Sequence, residues 1–339
     1  MKYLILFFSF VLLPFYFGNK KIENISGEMA VSEVLKKLGD KPIEHQPNLS
    51  LKGVSAELGE NIFLNGISTT TEGKNLKKQS RHFVCTSCHN IKKEDPDLSL
   101  ADPQARLEYA QTHDLPFLQG TTMYGAINRT TFYNGDYYKK YGKLVDKAKN
   151  NIREAIQLCA VECAQGRRLK PWEIESILAY FWQLELKMKD LNLTDEDFKR
   201  IDQSIQTKTD SPQIIQLIKS KYLQASPATF IPPPEDRRAG AENVTGNPEN
   251  GKLVYDLSCK HCHENERYSF YKLDDSPFSF DHLHKHFSKY SRYSTYQVTR
   301  WGTSPIPGKR AYMPQYTLEK LSIQQLEDLR SYIKQKAEE

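Results

Sequence analysis

Apolar residues recur at intervals of three and four along most of the chain, the period of a helix with one buried face. In WEIESILAYFWQLEL, Ile174, Ile177, Leu178 and Phe181 fall on one such face, and Pro171 suits a first helical turn. The C-terminal tract SIQQLEDLRSYIKQ carries a second stripe, Leu326, Leu329 and Ile333, behind a capping box of Ser322 and Gln325. Shorter helical patterns occupy GVSAELGENIFLNG and GKLVYDLSCKHCH, and LTDEDFKRIDQSIQTKTDSPQIIQLIKSKYL reads as two helical pieces. No run of alternating β-branched residues is present, so the predicted class is all-α. The pattern stops at SPATFIPPPEDRRAGAENVTGNPENG, where Pro232, Pro233 and Pro234 and the following Gly, Asn and Pro residues mark an extended, Pro-rich linker. The expected division is an N-terminal extension over 19–47, a first domain over 48–225, the linker over 226–250 and a second domain over 251–339.

The opening MKYLILFFSFVLLPFYF is a different pattern, one lysine followed by an apolar and aromatic run that ends at Gly18. It reads as a secretory signal over residues 1–18. The run is shorter than the roughly 20 residues that cross a bilayer and contains Pro14, so removal is expected rather than anchoring. The expected location is the periplasm, with membrane association only where the segment is retained.

Composition adds two limits. At 339 residues and 39% hydrophobic, the chain can build two cores. Its net charge of +5, from nearly balanced acidic and basic residues, is too small to point to nucleic acid.

The chemistry concentrates in cysteine. FVCTSCHNI contains Cys85, Cys88 and His89 as C-x-x-C-H, and LSCKHCHEN repeats the pattern at Cys259, Cys262 and His263. Two thiols that reach the vinyl groups of a haem, and an imidazole that turns back to the iron, are what covalent haem c attachment requires. Zinc would want a second pair of ligands beside each motif, and a dithiol oxidoreductase would want a preceding strand. Neither accompanies either copy, so two covalently bound haems are expected, with His89 and His263 as proximal ligands.

The second half resembles a small single-haem cytochrome c domain of class I: a helix into C-x-x-C-H, a methionine loop in WGTSPIPGKRAYMP, and a final helix. The resemblance implies Met313 as the sixth ligand of haem 2, a thioether that raises its potential. Arg300, Trp301 and Arg310 are candidate propionate contacts. In DHLHKHF, a helix would bring His282 and His286, but not His284, to one face, where a metal or ordinary surface histidines are both readable.

The first half has no such methionine, but NIREAIQLCAVECAQGRRL holds Cys159 and Cys163. At i,i+4 in an α-helix their Cβ atoms stand about 5–6 Å apart, wider than the roughly 3.5–4.5 Å of a disulfide, so a disulfide needs the helix to break. With Gly166, Arg167, Arg168 and the helix that follows, this segment resembles the catalytic domain of di-haem thiosulfate dehydrogenases and the SoxA-type cytochromes. That resemblance implies Cys159 as the ligand opposite His89 on haem 1, with Cys163, His113 and Met123 as alternatives. The tract over 92–150 departs from that family, and Cys163 replaces a small polar residue. The aromatic tract MYGAINRTTFYNGDYYKKYGKL reads equally as a wall over haem 1, with Arg129 as an anion contact, or as an ordinary core loop.

Together these readings give two tandem cytochrome c domains carrying electrons from a low-potential His/Cys haem 1 to a His/Met haem 2, between a donor and an acceptor protein. The alternative is an enzyme of the thiosulfate dehydrogenase kind, oxidising a small sulfur anion at haem 1. A di-haem peroxidase is disfavoured by the lack of acid–base segments between the motifs.

Overall fold

A computed structural model describes residues 24–70, 72–306 and 309–339, so the expected signal segment lies outside the described residues. Among the described residues the chain is all-α, with β-pairing limited to three isolated bridges. No helix among them is long and apolar enough to cross a membrane.

Two helix pairs organise the halves. Ala56–Asn65, capped by the Ser55 hydroxyl accepting from Leu58 N–H, packs against Pro171–Gln183. Pro248–Val254 packs against Ile323–Glu338, whose Ser322–Gln325 capping box closes reciprocally at 3.0 Å in each direction. Each pair meets at a glycine. A Cβ on Gly59 would stand 1.8 Å from Ser176 O, and one on Gly251 would stand 2.0 Å from Asp328 O. The same device at the same place in each half is an internal repeat that the sequence motifs alone did not disclose.

Three apolar clusters result. Ile62, Phe63, Ile177, Leu178 and Phe181 centre the first. Val254, Tyr255, Leu326, Leu329 and Ile333 centre that of the second half. The third joins Val31, Val34 and Leu35 of the Val31–Lys37 helix to Ile201, Ile205, Ile214 and Ile218 of Asp195–Thr207 and Ser211–Lys219. The N-terminal extension thus has a partner, the pair of helices Asp195–Thr207 and Ser211–Lys219.

The tract after the first motif reaches the other half. Asp102 caps the helix Pro103–Thr112, and Leu107 and Phe117 belong to the cluster of the second half. Phe117 N donates to Leu257 O at 2.9 Å, and Gln325 Nε2 donates to Pro103 O at 2.8 Å. The Pro-rich stretch is irregular but fastened: Phe230 is buried with its N–H on Asp136, and Asn247 N–H donates to Asp328.

Candidate haem pockets

Cys85 opens a single 3-10 turn, Cys85–Ser87, in which Val84 N–H donates to Ser87 Oγ and His89 N–H to Cys85 O. The turn aims Cys85, Cys88 and His89 into one cavity, also lined by Arg129, Tyr133, Tyr141, Cys159 and Cys163. The second motif follows a π turn, Tyr255–Cys259, that interrupts the approach helix immediately before Lys260–His263. Cys259, Cys262 and His263 line a second cavity with Met313.

The histidines are fixed alike. His89 Nδ1 lies 2.7 Å from Thr121 O, and His263 Nδ1 lies 2.7 Å from Tyr271 O. A carbonyl only accepts, so Nδ1 carries the proton in both rings and Nε2 keeps its lone pair, the tautomer a metal ligand needs. Burial pushes both imidazoles down, favouring the neutral form. Burial also pushes the Cys85, Cys259 and Cys262 thiols up to about 12, so they are neutral wall groups rather than thiolates. A closed apolar pocket with two thiols and one oriented imidazole fits covalent haem. Among the described residues no three His, Cys, Asp or Glu side chains converge as a metal site, which suits neither zinc nor a histidine cluster. His282 and His286 stack at 3.9 Å instead, and His286 Nδ1 turns to its own helix at His282 O.

Met313 is held from both sides. Its N–H donates to Thr303 Oγ1 at 2.8 Å, and Thr303 N–H donates to Met313 O at 2.9 Å. The preceding Gly302 has φ +64, and a Cβ there would stand 2.1 Å from Met313 O, so the loop needs glycine. Arg310 lines the second cavity. Arg300 instead donates to Leu321 O and Ser322 O at the head of the last helix, and Trp301 packs on Phe230, so neither faces the pocket.

Cys159 and Cys163 form a π turn between the helix Ile152–Leu158 and Ala164. The helix therefore widens to i→i+5 hydrogen bonding where the two cysteines stand. Gln79, unmarked by the sequence, fixes this turn by donating to Ala160 O at 2.8 Å, and Ser80 Oγ donates to Ala164 O at 2.5 Å. The two thiols are not equivalent. The Cys159 thiol turned on it, the Tyr312 and Tyr141 hydroxyls and the Lys140 ammonium lower the Cys163 thiol against burial. Cys159 is driven well up by its bond to Cys163 and by burial. The groups that steady a thiolate thus gather at Cys163. Met123 also lines this cavity, whereas His113 is exposed and stacked on Tyr109, away from it.

Lys140, Tyr141 and Tyr312 were missed because two come from the aromatic tract and one from the methionine loop of the other half. Lys140 Nζ donates to Trp301 O and Gln315 Oε1, and the Tyr141 and Tyr312 hydroxyls meet at 3.0 Å. The residue before Met313 therefore closes the cavity of the first motif. The two pockets adjoin. Phe83, Cys88, Gln119, Tyr312 and Pro314 line both, and Cys262 Sγ stands 3.9 Å from Ser87 O. Gln119 Oε1 in this shared wall is buried without a protein partner.

No protein-family model, curated protein or solved structure matches the chain.

Proposed function

We propose that the protein is an exported c-type cytochrome of two tandem domains. Cys85 and Cys88 bind haem 1, Cys259 and Cys262 bind haem 2, and electrons pass from the first to the second and out to a partner protein. The observation that carries this reading is the common wall: two C-x-x-C-H motifs back to back, each with a tautomer-locked histidine facing its own apolar cavity. When bound, each haem supplies a one-electron iron couple. The chain supplies ligands of opposite tendency. Met313, a soft thioether, favours the reduced state at His263, while thiolate at Cys159 favours the oxidised state at His89, so electrons run downhill toward the second pocket. A coordinating thiol is deprotonated by the metal itself, and Cys163 then faces that ligand as its hydrogen-bonding neighbour. Lys320, Glu94 and Arg106 fill the contact between the halves, and Glu94 accepts from Thr122 N–H next to Thr121.

Intact mass of the exported chain should show two added haems, and near-infrared magnetic circular dichroism should show one His/thiolate and one His/thioether iron. Met313→Leu should remove the thioether signature and lower only the higher of two potentials. A bis-histidine signal at the first haem, or a single wave in redox titration, overturns the assignment.

A second reading has its own observation. Arg129 lines the first cavity, where burial pushes its guanidinium down against Glu94, Asp95 and Tyr137, and Lys140 donates to Gln315 of the cavity wall. Two cations at a thiol-lined pocket suit a small sulfur anion as reductant. Reduction of the oxidised protein by thiosulfate, lost in Arg129→Gln, supports that enzyme; no reduction by sulfur oxyanions leaves electron relay.

A further inference from the structure

We infer that Cys159 and Cys163 are a third redox centre, a dithiol/disulfide couple that exchanges two electrons with the pair of haems. This rests on the di-haem reading above and adds a centre that neither electron relay nor axial ligation requires.

The geometry begins with the turn. A disulfide at i,i+4 is excluded by a regular α-helix, and the helix is not regular here. Ala164 N donates to Cys159 O, five residues back, at 2.9 Å, and Gly166 N donates to Ala160 O at 3.0 Å. Gln165 then leaves the turn at φ +52, a conformation uncommon outside glycine. The wide turn is held from outside, by Gln79 on Ala160 and Ser80 on Ala164, so the segment is anchored at residues beside the cysteines and not through them.

The surroundings fit the change. Both thiols face the first cavity and interact with each other, and neither is sealed within the apolar core. Tyr141 and Tyr312, whose hydroxyls meet at 3.0 Å, line the same cavity as Cys163, and Lys140 donates to Gln315 beside them. These hydrogen-bonding groups face the one cysteine that would not be an iron ligand. A single axial thiolate needs one cysteine, and a hydrogen-bonding neighbour to it need not be a thiol.

The step balances without another reagent. The Cys163 S–H bond and the bond from Cys159 to iron break and one S–S bond forms, one proton passes to solvent, and two electrons leave, one to each haem iron, which go from ferric to ferrous. The reverse uses two electrons arriving from the donor protein. Closing the disulfide removes Cys159 as a thiolate, so the couple also sets the sixth ligand of haem 1. The chain would thereby join two-electron chemistry at the first pocket to one-electron transfer from the second.

The test uses the full chain with its haems. Protein reduced with dithionite under argon, freed of reagent, is titrated with ferricyanide, then alkylated under denaturing conditions and weighed intact. Wild type should release two electrons more than Cys163→Ser, and its oxidised form should take up no alkyl groups on Cys159 and Cys163 until a thiol reductant is added. Cys159→Ser should match Cys163→Ser in electron count but, unlike it, lose the thiolate ligand spectrum, which oxidised wild type loses only when the disulfide closes. Equal electron counts in wild type and Cys163→Ser, or free alkylation of both cysteines after full oxidation, overturn the inference while leaving the haem assignment standing. Absence of covalent haem from the intact mass overturns the di-haem reading, and this inference with it. Haem content and thermal melting of each variant establish that the missing electrons do not reflect misfolding.

Discussion

His89 donates Nδ1–H to Thr121 O and His263 does the same to Tyr271 O, so each imidazole reaches its cavity with one nitrogen already committed. The carbonyl that commits His89 is set by its neighbour Gly120, whose N–H donates to Cys88 O at 3.1 Å. A Cβ on Gly120 would stand 2.4 Å from Cys88 O and 2.6 Å from His89 Nδ1. Nothing there is the end of a flexible chain, so the strand of backbone or the ring must move. Gly120→Ala should cost about 1–3 kcal/mol, the usual penalty for forcing volume into a packed site. It should also lower haem occupancy at the first motif only, read as haem per chain and as loss of the His/thiolate signal. Unchanged stability with two full haems would show that the ring does not depend on this approach. A sequence reading finds His89 from its position after Cys88, but Gly120, distant in sequence, carries no such mark.

Helices make the two halves alike where sequence does not. Gly59 lies 26 residues before Cys85 and Gly251 lies 8 before Cys259, yet both let the approach helix touch the backbone of the closing helix. The spacing differs because the described residues between Asn65 and Cys85 are non-helical and bridged at Thr69–Asn75. Gly251→Val should therefore destabilise the second half by about 1–3 kcal/mol through overpacking, and Gly59→Val should do the same to the first. Thermal unfolding followed at the haem bands should show each variant releasing its own chromophore earlier. Simultaneous loss of both in either variant would mean that the halves unfold as one unit. The helices themselves were legible: the Pro171–Gln183 and Ile323–Glu338 faces bury Ile177, Leu178, Phe181, Leu326, Leu329 and Ile333, with Ile174 partly buried, and the capping box forms as spelled. The π turns at Cys159 and Tyr255 were not, because an i→i+5 bond leaves the same residues on nearly the same face, and only tertiary anchors such as Gln79 decide between the two.

At the scale of the whole molecule, what the sequence left unread is how the halves meet, because that contact is made by residues with no motif. Motif spacing picks out the two C-x-x-C-H segments, but the tract over 92–150 gives no sign that Leu107 and Phe117 will complete the other half's core. Nor does Glu94 announce itself, although it is 1% exposed and faces Lys320 at 2.7 Å and Arg106 at 3.7 Å. Arg106 in turn donates to Leu118 O and Lys320 O, so one buried carboxylate fastens the tract behind the first motif to the methionine-loop side of the second. Burial alone would raise the Glu94 carboxyl, but Lys320 and Arg106 hold it at about 2, below the ordinary 4.5. A carboxylate depressed in the folded state stabilises it above the unfolded pKa and loses that contribution as pH falls through the folded value. The window is therefore about 4.5 down to about 2, and at about 1.4 kcal/mol per pH unit the contribution is on the order of 3 kcal/mol. Glu94→Gln leaves two buried cations unpaired and should cost about 3–5 kcal/mol at neutral pH. Urea unfolding of both proteins from pH 7 to pH 2 checks this by difference, which cancels other carboxylates such as Glu173 and Glu175. The gap between wild type and Glu94→Gln should be constant above pH 5 and should narrow steadily below it. A gap that stays the same down to pH 2 would mean that the Glu94 charge does not hold the halves together.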